Sequence, residues 1–217
     1  MQLPQLLVDS NDDQPLEVLS CYYGLGKHAE HDPFTGSWFD SWDTTGHRDN
    51  DGDRYTADDL VAVTCLSVDV PAKAAVRLLD TEAETFGALL TELGPDRDLV
   101  AETNPWPDDW AGWRLWQQLM ALPDVGATTA SKLYARKRPR LRPIYDSVVA
   151  RVIGSTAVWE PLRVKLQDDA GLHPRLVGLR DEIGLPSQVS PLRVFDVVTW
   201  MEGKGWTHCP WPQPASG

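Results

Sequence analysis

The most informative run of residues is Leu122-Pro123-Asp124-Val125-Gly126-Ala127-Thr128-Thr129-Ala130-Ser131-Lys132-Leu133. A helical pattern ends before it, a proline and a glycine mark a short turn, and small residues begin a second helix. Such a turn exposes backbone N–H groups at a helix N-terminus, where anions such as phosphate bind. A plain αα-hairpin without any ligand has the same pattern. The stretch therefore predicts two helices joined by a tight turn and leaves its role open.

The rest of the chain has helical rather than strand periodicity. A capping-box pattern runs from Thr56 to Asp59 before an apolar stretch, and a second runs from Thr81 to Glu84. Further helices are expected over 159–169, 174–183 and 190–200. The core face of one more helix is predicted by residues at helical spacing, which are Trp110, Trp113, Leu115, Trp116 and Leu119.

These patterns predict an all-α fold with three parts. Residues 1–56 form a partly irregular N-terminal segment that packs on the main domain. Residues 57–205 form the helical domain, and residues 206–217 form an extended tail. No apolar run approaches the ~18 residues that a membrane-spanning helix needs, so no membrane is expected as a partner.

Charge is distributed unevenly along the chain. The 20 Lys and Arg residues face 32 Asp and Glu residues, and the formal net charge of −12 argues against nucleic acid as a partner. Residues 132–151 alone carry seven basic side chains and one acidic side chain. This basic stretch follows the predicted hairpin directly, so phosphate contacts are expected there. A solvated basic helix end is the alternative interpretation.

A second motif follows the basic stretch: Pro143-Ile144-Tyr145-Asp146-Ser147-Val148-Val149-Ala150-Arg151-Val152. The two motifs together resemble the helix-hairpin-helix DNA glycosylase superfamily, which contains endonuclease III and the adenine glycosylases. In that superfamily an LPGVGxxTA hairpin precedes a PVDTHVxRV segment whose aspartate is catalytic. The matching residues are Leu122, Pro123, Val125, Gly126, Thr129, Ala130, Asp146, Arg151 and Val152. The spacing also agrees, since Asp146 lies 18 positions after Thr128. The whole chain also resembles an actinobacterial family of similar length, which implies no function.

The resemblance implies an N-glycosylase that hydrolyses a base–sugar bond in DNA, with Asp146 as the catalytic carboxylate. Cleavage of that bond passes through an oxocarbenium-like sugar, which a fixed carboxylate stabilises. Thr128 occupies the position of the Schiff-base lysine of bifunctional members, so a monofunctional enzyme is implied. Phosphate contacts are expected from Val125, Gly126, Thr128, Thr129, Lys132, Arg136, Lys137, Arg138 and Arg151. The competing interpretation makes Asp146 a helix N-cap and nothing more.

Two other functions stay open at this point. A helix-hairpin-helix module would bind DNA without catalysis, and a glycosidase acting on a free nucleoside or nucleotide would suit the acidic body better than a duplex. Asp196 lies in an apolar run and is a second candidate carboxylate or a structural acid. Four aromatic residues of the N-terminal segment either stack on a base or anchor helices, and they are Tyr22, Tyr23, Trp38 and Trp42.

The possible metal ligands follow no established spacing. The acidic run over residues 49–53 lacks the glycine and glutamate positions of an EF-hand, and Cys21, His28 and His31 match no common zinc pattern. The sequence has no four-cysteine loop, so we expect no iron–sulfur cluster. We also expect no other cofactor and no bound metal. Three widely spaced cysteines and an N-terminus without a signal pattern predict a cytoplasmic protein with reduced thiols.

Overall fold

A computed structural model describes residues 1–102 and 106–210. Within these residues it contains eleven α-helices and no β-strand, which confirms the all-α prediction. The helices are α1 (Gln5–Val8), α2 (Asp13–Tyr23), α3 (Ala57–Thr64), α4 (Ala72–Val76), α5 (Ala83–Leu93), α6 (Ala111–Met120), α7 (Ala127–Lys137), α8 (Ser147–Ile153), α9 (Trp159–Asp168), α10 (Leu172–Glu182) and α11 (Pro191–Gly203). Of the predicted tail, residues 206–210 contain no helix, and residues 211–217 lie outside the described residues.

Helix boundaries follow local sequence signals. Thr56 and Asp59 form the predicted capping box at the start of α3. Ser190 caps α11 by accepting the Arg193 N–H at 3.0 Å. The pattern at Thr81–Glu84 forms no capping box. There α4 continues into a π-helical turn, Arg77–Thr81, and the Glu82 carboxylate accepts hydrogen bonds from Arg77 instead.

The predicted hairpin joins α6 to α7, and the two helices pack against each other. Asp124 has a φ of 57°, a left-handed conformation that aspartate tolerates better than most residues. Gly126 is the N-cap of α7. On α6, Leu115 and Leu119 are completely buried, as the helical spacing predicts.

The centre of the molecule is formed by α7 and α11. Residues 130–137 of α7 are all buried, and so are residues 191–199 of α11. A surface helix buries only one face, so burial on every side makes these two helices the interior of the fold. α3 and α6 pack on α7, while α1, α2, α8 and α10 pack on α11. None of the described helices combines the length and apolarity that crossing a membrane requires.

The N-terminal segment contains more helix than the sequence predicts. α2 is 11 residues long, and its Val18 and Leu19 are fully buried where the helix packs on α11. Pro15 lies in the first turn of α2, where proline does not interrupt the hydrogen bonds of a helix. Beyond α2 the segment up to residue 56 has only two short 3-10 turns, Gly26–His28 and Thr35–Trp38.

The prediction of reduced thiols is wrong for two of the three cysteines. Cys21 of α2 forms a disulfide with Cys209, which follows α11, while Cys65 is free. The two bonded residues lie 188 positions apart in the sequence. Their spacing therefore carries no sign of the pairing, which depends on the packing of α2 against α11.

Candidate active site

A cavity of about 240 Å³ opens beside Asp146, between α7, α8 and α11. Pockets for drug-sized ligands measure about 300–1,000 Å³, so this cavity suits a smaller ligand such as a single base. Three aromatic rings and five charged side chains contribute to its lining, and they are Tyr22, Phe34, Trp200, Lys132, Asp146, Arg193, Asp196 and Lys204. The cavity therefore offers both a stacking surface and titratable groups.

Asp146 is the N-cap of α8, at the helix start where the sequence predicts it. One carboxylate oxygen, Oδ1, accepts the Val148 N–H at 2.8 Å and is thereby held in place. The other, Oδ2, lies 3.8 Å from the ammonium nitrogen of Lys132. The side chain remains 22% exposed, and the helix dipole stabilises negative charge at this end of α8. A cap would need only the first of these contacts.

Ser131 joins α7 to the segment that carries Asp146. Its buried hydroxyl donates to the Thr128 carbonyl at 2.9 Å and accepts the Tyr145 N–H at 2.9 Å. The next residue on α7 is Lys132, whose ammonium donates to the Leu66 carbonyl at 2.7 Å. Burial lowers the pKa of Lys132, and the charge of Asp146 opposes that shift. Lys132 is therefore a buried cation that faces the candidate carboxylate.

Arg193 is the buried centre of a polar network beside the cavity. Its guanidinium donates to the carboxylates of Asp40 and Asp196 and, at 2.8 Å each, to the Tyr22 hydroxyl and the Gly36 carbonyl. Glycine is required at position 36, because a Cβ there would lie 1.9 Å from the Tyr22 hydroxyl oxygen. Burial raises the pKa of Asp196 to about 6, although Arg193 opposes the shift. The cavity thus contains a carboxyl group that holds its proton at mildly acidic pH.

Only one of the four predicted base-stacking residues lines the cavity. Tyr22 stacks on Phe34 with ring centroids 5.2 Å apart and meets Trp200 edge-on at 6.1 Å. Phe34 and Trp200 also line the cavity, although neither is among the residues predicted for the site. Trp200 lies at the end of the apolar run that contains Asp196, one helical turn further along α11. That spacing is the signal that could have identified it.

The other three predicted stacking residues lie elsewhere. The Tyr23 hydroxyl donates to an Asp40 carboxylate oxygen at 3.4 Å, and the side chain is half-buried. Trp38 is 53% exposed, and Trp42 packs at the edge of the core. None of them lines the cavity beside Asp146, so a base in that cavity would not stack on them.

The basic residues of α7 do not form the exposed phosphate-binding surface that the sequence predicts. Lys132, Arg136, Lys137 and Arg138 are each no more than 5% exposed. Arg136 and Lys137 both pair with Asp59 of α3, which is itself buried. Their charges are therefore neutralised inside the protein, because α7 is a central helix rather than a surface one.

Arg138 is bound in the same way at the end of α7. Its guanidinium pairs with Asp53 at 2.6 Å and donates to the carbonyls of Leu90, Gly52 and Gly94. The basic stretch thus holds the acidic N-terminal segment and the end of α5 against α7. Three of the seven positive charges in residues 132–151, those of Arg136, Lys137 and Arg138, are thus structural partners of that segment.

The remaining predicted contacts surround the hairpin. Val125 is buried, Gly126 is exposed, and Thr128 and Thr129 are half-buried. Arg151 is exposed on α8, where it donates to the Gly203 carbonyl at 2.9 Å. None of these five residues lines the cavity. A phosphate bound at the hairpin would lie outside it, and such binding remains a prediction.

Residues 15–203 match the model of a protein family described as a family of unknown function, DUF6308. The chain belongs to the DUF6308 family. The matched region includes Tyr22, Asp146 and Asp196. A comparison with curated proteins found no match, and neither did a comparison with solved structures. The resemblance to helix-hairpin-helix glycosylases accordingly rests on the motif residues alone.

One group of metal-type ligands comes together among the described residues. It consists of Cys21, His28 and Cys209, and it does not include His31. None of the three lines the cavity. The group is therefore separate from the candidate active site.

Proposed function

We propose that this DUF6308 protein is a monofunctional N-glycosidase that hydrolyses a base–sugar bond in the cavity beside Asp146. The observation that carries the proposal is the presence, in one small cavity, of two carboxyl groups and an aromatic wall. Glycosidic cleavage uses two carboxyl groups in different protonation states. Aromatic rings such as those of Tyr22 and Trp200 stack on a base.

In this proposal the two carboxyl groups have different roles. Asp146 stabilises the positive charge that develops on the sugar as the C–N bond breaks, orients the attacking water and accepts the proton that this water loses. Asp196, whose pKa burial raises to about 6, is protonated below that pH and gives its proton to the departing base. Lys132, with its ammonium nitrogen 3.8 Å from Asp146, positions that carboxylate.

The burial of the basic stretch favours a free nucleoside or nucleotide as substrate. Duplex DNA is bound chiefly through exposed cations that neutralise phosphates. Arg136, Lys137 and Arg138 are buried against acidic partners, and the chain as a whole has a net charge of −12. A free nucleoside carries no phosphate, so its binding needs no exposed cation.

Duplex DNA is the second candidate substrate, and the hairpin is the observation that favours it. Gly126 is exposed at the N-terminus of α7, an 11-residue helix. The first N–H groups of a helix have no acceptor within the helix and bind phosphate readily. In this case the hairpin would hold the backbone while one base enters the cavity.

A substrate screen tests the proposal. The protein is incubated with the common nucleosides and nucleotides, and separately with duplexes that carry deaminated, oxidised or mismatched bases, and released base is measured by liquid chromatography. We expect release from at least one nucleoside or nucleotide. Release from DNA alone would make DNA the substrate, and no release from either class would overturn the proposal.

Borohydride trapping during turnover tests the monofunctional assignment. A Schiff base between an amine and the sugar is reduced to a stable covalent adduct, so an enzyme that uses only carboxylates forms none. We expect no adduct with wild-type protein. An adduct that disappears in Lys132→Gln would instead assign amine chemistry to Lys132.

A further inference from the structure

A second cluster of reactive side chains lies where the segment after α11 meets α2. The sulfur atoms of Cys21 and Cys209 and a ring nitrogen of His28 all lie within 4.8 Å of one another. Cys21 and His28 are each 1% exposed, and Cys209 is half-buried. In the structure the two sulfurs are joined as a disulfide, and the imidazole lies beside it.

The imidazole of His28 is oriented by Glu17. Its Nε2 lies 3.0 Å from a Glu17 carboxylate oxygen, and Lys27 pairs with the other oxygen at 2.8 Å. The Glu17 carboxylate is therefore the partner of Nε2 and leaves the other ring nitrogen, Nδ1, for a different partner.

The other ring nitrogen of His28, Nδ1, is buried and has no hydrogen-bond partner in the described part of the chain. A buried polar atom without a hydrogen-bond partner is costly, and a ligand that binds this nitrogen would remove that cost. A histidine whose second nitrogen donates to a carboxylate is the arrangement found at metal-ligating histidines, where the carboxylate fixes the tautomer and raises the basicity of the ligand.

We propose that Cys21, Cys209 and His28 bind a zinc ion once the disulfide is reduced. Thiolate and imidazole are the ligands that zinc prefers in proteins, and three of them leave a fourth tetrahedral position for water. This site is separate from the cavity beside Asp146 and does not depend on the function proposed for that cavity.

The change between the two forms needs a reductant of the dithiol class. The dithiol attacks one sulfur of the Cys21–Cys209 bond, both cysteines become thiols, and the dithiol is oxidised to its own disulfide. Zinc then binds the two thiolates and releases their two protons. The ion replaces the covalent bond as the link between α2 and the segment after α11.

Both the disulfide and the proposed zinc ion would keep the Trp206 ring near the cavity. Trp206 lies three positions before Cys209, and it packs on Phe34 and Trp200 with centroid distances of 5.4 and 5.5 Å. Phe34 and Trp200 both line the cavity. A metal link in the reduced protein would therefore preserve the aromatic wall that the disulfide holds in the oxidised protein.

Zinc titration of the full-length protein tests the proposal. The protein is reduced with a dithiol, freed from it by anaerobic gel filtration, and titrated with zinc sulfate in competition with a chromophoric chelator. We expect the reduced protein to bind one zinc ion per chain and the oxidised protein to bind none at this site. Cys65→Ser is the matched control, because Cys65 lies outside the ligand group, and it should bind zinc like the wild type.

Ligand variants identify the site. Cys209→Ser and His28→Gln should each weaken zinc binding at least tenfold, and Glu17→Gln should weaken it by about 10–100-fold through loss of imidazole orientation. Circular dichroism of each variant checks folding. Cys209 is half-buried in the segment after α11, so of these substitutions Cys209→Ser should disturb the core least. Less than one bound zinc in the reduced wild type would overturn the proposal. Full binding that survives in both ligand variants would also overturn it.

Discussion

The two oxygens of the Asp146 carboxylate have different surroundings. As N-cap of α8 it accepts the Val148 N–H, and this contact alone would explain an aspartate at that position. Its second carboxylate oxygen instead faces Lys132 across 3.8 Å, at the edge of a cavity. The half of the carboxylate that capping does not use is thus the half available for chemistry.

Asp196 determines the pH dependence of the proposed reaction. Burial raises its pKa to about 6, so the carboxyl group holds its proton below that pH and loses it above. We expect base release by the wild type to fall as the pH rises through 6, because the proton donor is lost. In Asp196→Asn, base release should be about 10²–10⁴-fold slower and lack this decline. Initial rates between about pH 5 and pH 8 measure both effects.

A matched variant distinguishes this role from a general charge effect. Asp168 is exposed at the end of α9, so Asp168→Asn should keep the wild-type rate and profile. A decline near pH 6 that persists unchanged in Asp196→Asn would assign the titration to another group.

At the scale of elements, α7 is stabilised by burying its cations against α3 and the N-terminal segment. Asp59 is 2% exposed and pairs with both Arg136 and Lys137. Removing one partner of a buried ion pair leaves an uncompensated charge, which costs about 3–5 kcal/mol. We expect Asp59→Asn to lower the free energy of unfolding by about that amount, as measured by urea denaturation.

Asp80 supplies the control for this prediction. It is exposed, so Asp80→Asn should change the free energy of unfolding by no more than about 0.5 kcal/mol. If Asp59→Asn were as mild as Asp80→Asn, the ion pairs of α7 would not be structural, and its basic residues would again be available to phosphates.

Local sequence signals predicted most of the helix starts. Thr56, Asp146 and Ser190 each begin a helix, whereas the capping-box pattern at Thr81 does not. The burial of Arg138 was not predictable in this way. Its partners lie 44 to 86 positions away, and a basic run looks the same whether solvent or carboxylates surround it.

At the scale of the whole molecule, the site assembles residues from three distant parts of the chain. Tyr22, Asp146 and Asp196 belong to α2, the start of α8 and α11. The motif identified Asp146, and an acid within an apolar run identified Asp196 as a candidate. Phe34 was not predictable as a site residue, because it lies in a segment without helical or strand periodicity. The pairing of Cys21 with Cys209 depends in the same way on the packing of α2 against α11.

The net charge of the whole molecule predicts weak binding to duplex DNA. The net charge is −12, and Arg136, Lys137 and Arg138 of the basic stretch are buried, so that stretch offers few cations to phosphates. We expect non-specific binding no tighter than about 10⁻⁴–10⁻⁶ M at physiological salt. Fluorescence anisotropy of a labelled duplex at several salt concentrations measures it. Tight binding with a steep salt dependence would contradict the substrate preference argued from the burial of α7.

The most direct test of the proposed catalytic role is the rate of base release by Asp146→Asn, measured with the substrate that the screen identifies. Asparagine caps a helix as well as aspartate does, so the fold and thermal stability should be preserved. Asp124→Asn is the control, since Asp124 is exposed in the hairpin and asparagine tolerates its positive φ. We predict that Asp146→Asn loses base release by at least about 10²-fold while Asp124→Asn keeps it. Wild-type activity in folded Asp146→Asn would contradict a catalytic role for this carboxylate.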